Sequence, residues 1–370
     1  MQRAIGAMTR NSLDAGMRAS TRALKQASAA SLKQTKAATS RARKLAGEGA
    51  AGNLLAGSLL KDRANQRGLA GCVSGIAFAA AGARRYHLFK PPGLTLFERL
   101  PLVVMLHGCG QDANAFALST RMNRIAARER FLVLYPEQDR LANPQLCWNW
   151  YETRSRRAYG EAAIIRAAID QVCLLYPVDP QRIGIAGLSA GAGMAALLAT
   201  RYPDRFEAVV MHSGVPPGVA DSTASAIRAM RGRAPAPAAD PASPVAGATA
   251  DWPPLLVIHG SLDRVVSASN AASAARLWAA AGGVVDETVR RVQRGARYPM
   301  TVTDFGLRNR PAATLCEIEG LGHAWSGGPA TERFSDPRGP DASRLAWAFM
   351  SRRFRAAQPR PGQKALKRSG

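Results

Sequence analysis

Aromatic residues, acidic residues and cysteines are scarce in this sequence, and long apolar segments are missing from it. Phe, Trp and Tyr make up 6% of the 370 residues, and 26 acidic residues stand against 50 Lys and Arg. Five cysteines in a chain of this length do not indicate a disulfide-rich scaffold. No uninterrupted apolar run reaches the length of about 18 residues that a membrane-spanning helix needs, so we expect no transmembrane segment. Hydrophobic residues still make up 47% of the chain, which excludes disorder throughout.

The net charge of +24 is concentrated at the two ends of the chain. Residues 1–70 hold 13 Lys and Arg against three acidic residues, and residues 351–370 hold seven against none. Residues 1–67, rich in Ala, Lys, Arg, Ser and Gln, predict a basic helical or disordered arm, and residues 351–370 predict a basic tail. Such an arm suits an anionic surface such as nucleic acid, phospholipid or a granule coat, or it only solubilises the protein.

Between these ends, apolar strands alternate with amphipathic helices. Apolar runs typical of strands buried on both faces occur at 102–106, 131–135, 182–186, 208–212, 255–259 and 314–318. Helical patterns occur at 114–130, 160–176, 190–202, 269–281 and 341–354. This alternation predicts an α/β catalytic domain over residues 80–350, with a doubly wound, mostly parallel sheet and helices on both faces.

Two further segments have a character of their own. Residues 84–89 alternate in polarity and precede Pro91-Pro92-Gly93, as an edge strand would. Residues 215–254 are rich in Pro and Ala and lie between two predicted strands. A loop of that length predicts a lid or a loop insertion.

The strongest motif is Gly187-Leu188-Ser189-Ala190-Gly191, a G-x-S-x-G sequence between an apolar strand and an Ala-rich helix. This context is typical of the nucleophile elbow of α/β-hydrolases. Small neighbours let the backbones pass closely, and Ser189 would lie at the positive end of the helix that follows. We therefore predict Ser189 as a catalytic nucleophile.

A serine nucleophile needs a base, and the base needs a carboxylate that fixes its tautomer. In the α/β-hydrolase order, both lie downstream of the serine. Among the five histidines, His323 lies downstream of a candidate acid, in a Gly-rich loop after the last predicted strand. Asp263 lies just beyond the strand at 255–259, whereas Asp286 and Asp304 lack that setting. The predicted catalytic residues are thus Ser189, Asp263 and His323.

An oxyanion hole in this fold uses one amide after the nucleophile and one from a loop after an early strand. Ala190 supplies the first amide, and Cys109 or its neighbour, in the loop after the strand at 102–106, is the candidate for the second. His107 and His259 each stand before a glycine at a strand end, where an imidazole more often braces a loop than performs chemistry. We interpret both as structural.

Four separated motifs carry a resemblance to a known family. They are His107-Gly108-Cys109-Gly110-Gln111, Cys147-Trp148-Asn149-Trp150-Tyr151, the Ser189 motif, and Gly320-Leu321-Gly322-His323-Ala324-Trp325. Together they resemble the polyhydroxybutyrate (PHB) depolymerase family of esterases, which also includes feruloyl and acetyl-xylan esterase-like members. The resemblance covers about residues 82–350. It implies an α/β-hydrolase fold, a Ser189, Asp263 and His323 triad, and ester hydrolysis with no metal or organic cofactor.

We therefore predict a serine esterase that acts through an acyl-enzyme intermediate on a short polyhydroxyalkanoate or on an aryl or acyl ester. A feruloyl or acetyl-xylan-type esterase and a serine peptidase of the same fold are the enzymatic alternatives. An alternative of another class is a surface- or granule-binding protein that acts through the basic arm. The resemblance favours a secreted protein, whereas residues 1–51, which hold no apolar signal block, favour a cytoplasmic one.

Aromatic and thiol side chains cluster in the same motifs. Trp148, Asn149, Trp150 and Trp325 are candidates for substrate binding, because aromatic faces suit an apolar acyl chain or a phenolic ring. Packing in the core is the alternative for each Trp. Cys109 and Cys147 either form a bridge that braces the oxyanion loop or remain a reduced pair of small apolar side chains.

Overall fold

A ten-stranded mixed sheet dominates the computed structural model, which describes residues 67–233, 251–306 and 311–357. Its strands are β1 (Cys72–Ala79), β2 (Gly82–Phe89), β3 (Leu100–Leu106), β4 (Leu132–Pro136), β5 (Val178–Leu188), β6 (Ala208–His212), β7 (Leu255–Gly260), β8 (Glu287–Val292), β9 (Met300–Phe305) and β10 (Ala313–Ile318). The spatial order is β1-β2-β4-β3-β5-β6-β7-β10-β9-β8. Two short strands, β11 (Trp325–Ser326) and β12 (Ser335–Asp336), form a separate parallel pair.

The centre of the large sheet, from β4 to β10 in the spatial order, is parallel throughout. Antiparallel strands flank it, β1 and β2 on one side and β8 and β9 on the other. Because the carboxyl ends of parallel strands meet at one edge, the loops after β3, β5, β7 and β10 gather there. The predicted doubly wound sheet is confirmed.

Seven α-helices of the described ranges connect and cover the strands. They are α1 (Ala113–Thr120), α2 (Met122–Glu129), α3 (Arg157–Leu175), α4 (Ala190–Arg201), α5 (Thr223–Met230), α6 (Ser269–Ala281) and α7 (Ala342–Ala357). None of the helices that the structure describes is both long and apolar enough to pass through a membrane.

The core consists of two apolar layers, one on each face of the sheet. Along β3, Leu102, Val104 and Leu106 pack into the layer under α3, α4 and α6, while Val103 and Met105 pack into the layer under α1, α2 and α7. All five side chains are fully buried. This alternation explains why the central strands have no polar face, and each such side chain contributes about 1.5–3 kcal/mol by burial.

Several predicted boundaries need correction. Residues 84–89 belong to β2, which is not an edge strand because β1 pairs with its other side. The sheet therefore begins at Cys72, before the predicted start at 80, and α7 continues past the predicted end at 350. The helix predicted over 114–130 is interrupted at Arg121, whose φ of 52° separates α1 from α2.

The polar edges of the sheet were not predicted from the sequence. Strand β8 is exposed along most of its length, so it has no apolar run that would mark it as a strand. Within the predicted insertion at 215–254, residues Thr223–Met230 form α5, capped by Ser222. Residues 234–250 of that segment lie outside the described residues, as do most of the predicted basic arm, 1–66, and residues 358–370 of the predicted tail.

Candidate active site

Ser189 occupies a sharp turn between β5 and α4. Its backbone has φ of 55° and ψ of −119°, a conformation that a residue with a side chain adopts only under strain. Its N–H donates to the carbonyl of His212 on β6 at 2.9 Å, and its own carbonyl accepts from the N–H groups of Ala192 and Gly193. The turn thus holds Ser189 at the N-terminal end of α4, as an elbow requires.

The two glycines of the motif are required by backbone contacts. A Cβ on Gly187 would lie 2.3 Å from the carbonyl carbon and oxygen of Gly191, and a Cβ on Gly191 would lie 2.2 Å from the carbonyl oxygen of Leu106. These neighbours are main-chain atoms that cannot move aside. The turn can therefore form only with glycine at both positions.

Asp263 and His323 meet at the carboxyl edge of β7 and β10. His323 Nδ1 donates to Asp263 Oδ2 at 2.8 Å. The other oxygen of Asp263 accepts from the N–H of Val265 at 2.9 Å and of Val266 at 2.8 Å. The Asp263 side chain is completely buried, whereas that of His323 is 10% exposed. The carboxylate thus fixes the tautomer of His323 and leaves its Nε2 without the proton.

Opposing effects act on the carboxyl group of Asp263. Burial by itself raises its pKa, but the hydrogen bond and charge of His323 and the N–H of Val266 lower it, so that the pKa lies below its ordinary value. Asp304, weighed above as a different acid, lies on β9, where it pairs with Arg290 and accepts from Thr314. It therefore makes its contacts away from His323.

The loop between β3 and α1 lies against the elbow. A Cβ on Gly108 would lie 3.6 Å from Cβ of Ser189, which places the two segments in contact. Among the described residues, the N–H of Cys109 has no hydrogen-bond acceptor. Ala190, the first residue of α4, has one of the N–H groups that a helix leaves without an internal acceptor. Both candidate oxyanion amides therefore lie at the turn.

A disulfide joins Cys109 to Cys147, with the Cα atoms 4.2 Å apart. Of the two alternatives left open by the sequence, the structure has the bridge. The N–H of Gly110 also donates to the carbonyl of Gln145 at 2.8 Å. The loop that carries Cys109 is thus tied twice to the segment that follows β4.

The tryptophans of the motifs are core residues, which corrects the prediction that they bind substrate. Trp148 is completely buried beside His107, Trp325 is 1% exposed and stacks on His212, and Trp150 packs over Gly193 of α4. The Asn149 side chain is also buried, with its amide on Glu161. These side chains pack in the core, the alternative given for each Trp above, because they fill the space under the loops at the carboxyl edge of the sheet.

Two buried histidines brace the loops around Ser189 and Asp263. His259 Nε2 lies 2.9 Å from the carbonyl of Val266 and 3.4 Å from Asp263 Oδ2, which agrees with its interpretation as structural. His212, which the sequence analysis did not select, accepts from the N–H of Ser326 at 3.1 Å through Nε2. A histidine at the end of the apolar run 208–212 was the available signal.

Burial lowers the pKa of His212 to about 3, with smaller contributions from the charges of His259 and His323. Within the described residues, no group of three or more His, Cys, Asp and Glu is arranged to hold a metal ion. The buried imidazoles therefore form hydrogen bonds between loops in their neutral form.

Removal of the disulfide should destabilise the fold. For a bridge with a sequence separation of 38 residues, we expect the double variant Cys109→Ser, Cys147→Ser to lose about 3–4 kcal/mol of unfolding free energy. Chemical denaturation compares it with the wild type, and Cys173→Ser, which replaces a free half-buried thiol, is the control. Equal midpoints for wild type and double variant would contradict a stabilising bridge.

His212 should make stability depend on pH. Its pKa is lowered from 6.5 to about 3, so between these values the unfolded chain binds more protons and stability falls as the pH falls. A single group contributes up to about 1.4 kcal/mol per pH unit. We therefore expect the stability difference between wild type and His212→Gln to shrink from pH 6 to pH 4 in denaturation experiments. A constant difference would show that His212 does not titrate in this way.

Comparison with known proteins agrees with this geometry. The family described as Esterase PHB depolymerase matches residues 84–299. Poly(3-hydroxyalkanoate) depolymerase C of Paucimonas lemoignei is 31% identical over 65% of this chain, and feruloyl esterase B of Neurospora crassa is 32% identical over 31% of it. The chain spans 61% and 39% of the lengths of these two relatives.

A solved structure, the acetyl xylan esterase from Aspergillus awamori, superposes with a TM-score of 0.55 at 18% identity, covering 68% of this chain and 94% of that one. At this level of identity the match concerns the fold alone. The predicted fold and the predicted resemblance are both confirmed, and the chain belongs to the PHB depolymerase family of esterases, with an α/β-hydrolase fold.

Proposed function

We propose that this protein is a serine esterase that hydrolyses carboxylic esters through an acyl-enzyme intermediate. Ser189 is the nucleophile, His323 the general base, and Asp263 the carboxylate that orients His323. The observation that carries the proposal is the 2.8 Å hydrogen bond between His323 and the buried Asp263, at the same sheet edge as the strained Ser189 turn. Strain of this kind persists where the surrounding structure enforces it, and it is concentrated at functional sites.

In the first half of the reaction, His323 Nε2 takes the proton of Ser189 as Oγ attacks the ester carbonyl. The carbonyl oxygen becomes an oxyanion that accepts hydrogen bonds from the N–H groups of Cys109 and Ala190. His323 then protonates the leaving alkoxide as the carbon–oxygen bond breaks. Asp263 stabilises the imidazolium that exists between these proton transfers.

In the second half, water replaces the alcohol. His323 removes a proton from the water, which attacks the carbonyl carbon of the acyl-Ser189 ester. The oxyanion that forms again accepts hydrogen bonds from the N–H groups of Cys109 and Ala190. The proton then passes to Ser189 Oγ as the acyl group leaves as a carboxylic acid. Each half uses the same groups in opposite order, so the cycle returns the enzyme unchanged.

We propose an aliphatic hydroxyacid ester, such as a short polyhydroxyalkanoate, as the substrate. The match to the poly(3-hydroxyalkanoate) depolymerase covers a larger share of this chain than the match to the feruloyl esterase. Leu262 and Val265, on either side of the Asp263–Arg264 pair, are 60% and 47% exposed, and Leu141 in the loop after β4 is 95% exposed. Apolar side chains near the catalytic loops favour contact with an aliphatic acyl chain.

The basic arm over residues 1–67 is proposed to bind an anionic surface or granule, separately from catalysis. The support for this is its charge alone, because residues 1–66 lie outside the described residues. Exposed charges attract an anionic surface over about a Debye length, roughly 10 Å at 0.1 M salt.

Replacement of Ser189 by alanine should abolish ester hydrolysis, because loss of a triad nucleophile removes several powers of ten in rate. Hydrolysis of nitrophenyl butyrate measures the effect, and a fluorophosphonate probe followed by peptide mapping identifies the reactive serine. Ser351→Ala, on α7, is the matched control. Retention of more than about a tenth of wild-type activity would exclude Ser189 as nucleophile.

Deletion of residues 1–66 should separate binding from catalysis. We expect kcat/KM on a soluble short-chain ester to stay within about threefold, a change below about 1 kcal/mol in transition-state stabilisation. Sedimentation with anionic vesicles should weaken, most clearly at low ionic strength, where charges are least screened. Unchanged sedimentation would leave the arm without this role, and loss of activity on the soluble ester would make it part of the catalytic domain.

A further inference from the structure

The direction of the Cys109 N–H is set by the carbonyl of its own peptide unit. His107 Nδ1 donates to the carbonyl oxygen of Gly108 at 2.9 Å, and the N–H of Gln111 donates to the same oxygen at 3.3 Å. In a trans peptide, the C=O and N–H point in opposite directions. Whatever holds the imidazole of His107 therefore also orients the amide proposed to bind the oxyanion.

The imidazole of His107 is held in turn by Gln138. The N–H of Gln138 donates to His107 Nε2 at 3.1 Å, so the ring accepts at Nε2 and carries its proton on Nδ1. Burial lowers the pKa of His107, which keeps this neutral tautomer in place. The position of the Gln138 backbone thus affects the orientation of the Gly108–Cys109 peptide through the imidazole of His107.

The side chain of Gln138 is fixed by four partners, one of which is the N–H of the next residue, Asp139, which donates to Oε1 at 3.0 Å. Its Nε2 donates to Glu161 Oε1 at 2.9 Å and to the carbonyl of Cys147 at 2.9 Å. Its Oε1 accepts from Arg84 Nε at 2.8 Å. The amide therefore links a buried carboxylate on α3 to the disulfide partner of Cys109.

Glu161 is the centre of this network, with 3% of its side chain exposed. Besides Gln138, it accepts from the N–H of Asn149 at 2.9 Å, from Asn149 Nδ2 at 2.7 Å and from Arg84 at 3.2 Å. All of its partners are donors, which suits an ionised carboxylate. Glu161 thus binds Gln138 and Asn149, which lie on either side of Cys147 in the sequence. The disulfide joins this same segment to the loop of Cys109.

A contribution to folding stability is a weak explanation for burying the carboxylate of Glu161 among these donors. A buried ion pair contributes little net free energy compared with apolar side chains of the same volume, because both charges lose their hydration. The bonds of Glu161 lead instead to the peptide unit of Cys109. We propose that Glu161 is a positioning residue of the oxyanion hole, which acts through Gln138 and His107 on the Gly108–Cys109 peptide.

This inference rests on the proposed esterase function, in which that peptide stabilises the transition state. Loss of one oxyanion donor typically lowers kcat by about 10²–10³. A misplaced donor keeps part of that effect, so we expect Glu161→Gln to lower kcat by about tenfold to a hundredfold. The substrate does not touch Glu161, and KM should stay within about threefold, since binding of the ground state needs no oxyanion contact.

The experiment compares Glu161→Gln with Asp304→Asn in the full chain. Asp304 is a buried carboxylate on β9 that, like Glu161, pairs with an arginine, but its partners Arg290 and Thr314 do not lead to the oxyanion loop. For each variant, kcat and KM on nitrophenyl butyrate are measured, with active sites counted by burst titration. The inhibition constant of an alkyl trifluoromethyl ketone, which forms a tetrahedral oxyanion on the serine, is the second measurement. We expect the inhibitor to weaken in parallel with kcat for Glu161→Gln and to be unchanged for Asp304→Asn.

Gln138→Met keeps the experiment decisive if Glu161→Gln does not fold. It removes the side-chain amide but keeps its volume and the backbone N–H that binds His107, and we expect the same loss of kcat and of inhibitor affinity. In the double variant, the two losses should not add, because they interrupt one chain of contacts. A folded Glu161→Gln or Gln138→Met with wild-type kcat and inhibitor affinity overturns the inference. A wild-type enzyme that neither cleaves the ester nor binds the ketone overturns the esterase function itself.

Discussion

The arrangement of the candidate site depends on one close approach between main-chain segments, at the turn from β5 into α4. Gly187 lies against Gly191, and Gly191 lies against the end of β3, at distances that leave no room for a Cβ atom. This contact brings the Ser189 turn and the loop after β3 together at the carboxyl edge of the sheet. The proposed nucleophile and the proposed oxyanion amides are neighbours because these backbones touch.

Three buried histidines form hydrogen bonds that hold the loops around the site. His212 links β6 to Ser326, His259 links β7 to Val266, and His107 links β3 to Gln138. Each imidazole stands at the carboxyl end of a buried strand or directly after it; His212 and His107 bind the loop of another segment, whereas His259 binds the loop after its own strand. A neutral imidazole suits this position because it forms hydrogen bonds without carrying a charge, whereas a charged side chain there would lose its hydration.

The candidate site therefore has two halves with separate supports. Asp263 and His323 are held by the loops after β7 and β10, which pack so closely that a Cβ on Gly260 would meet the carbonyl of Leu321. The oxyanion loop is held by the segment after β4, through the bridge to Cys147 and the network around Glu161. Ser189 belongs to neither half, because it lies on the turn between β5 and α4.

The sequence alone determined the parallel centre of the sheet and the elbow. The reason is that both are local: apolar runs mark strands buried on both faces, and the spacing of Gly187, Ser189 and Gly191 fits within one turn. The order of Ser, Asp and His also predicted that Asp263 and His323 would meet, as they do. Strands β1, β8 and β9 contain no continuous apolar run, because small or polar residues interrupt each of them and β1 and β8 are largely exposed edge strands.

Only the tertiary structure decided which polar and aromatic side chains lie under the catalytic loops. Trp148, Trp150 and Trp325 could face a substrate or the core, and packing between sheet and helices buried them. Glu161 looks in the sequence like any acidic residue on a helix, yet it lies on the buried face of α3, among donors that are up to 77 positions away along the chain. Local patterns carry no information on such distant contacts, since the geometry of the whole sheet sets them.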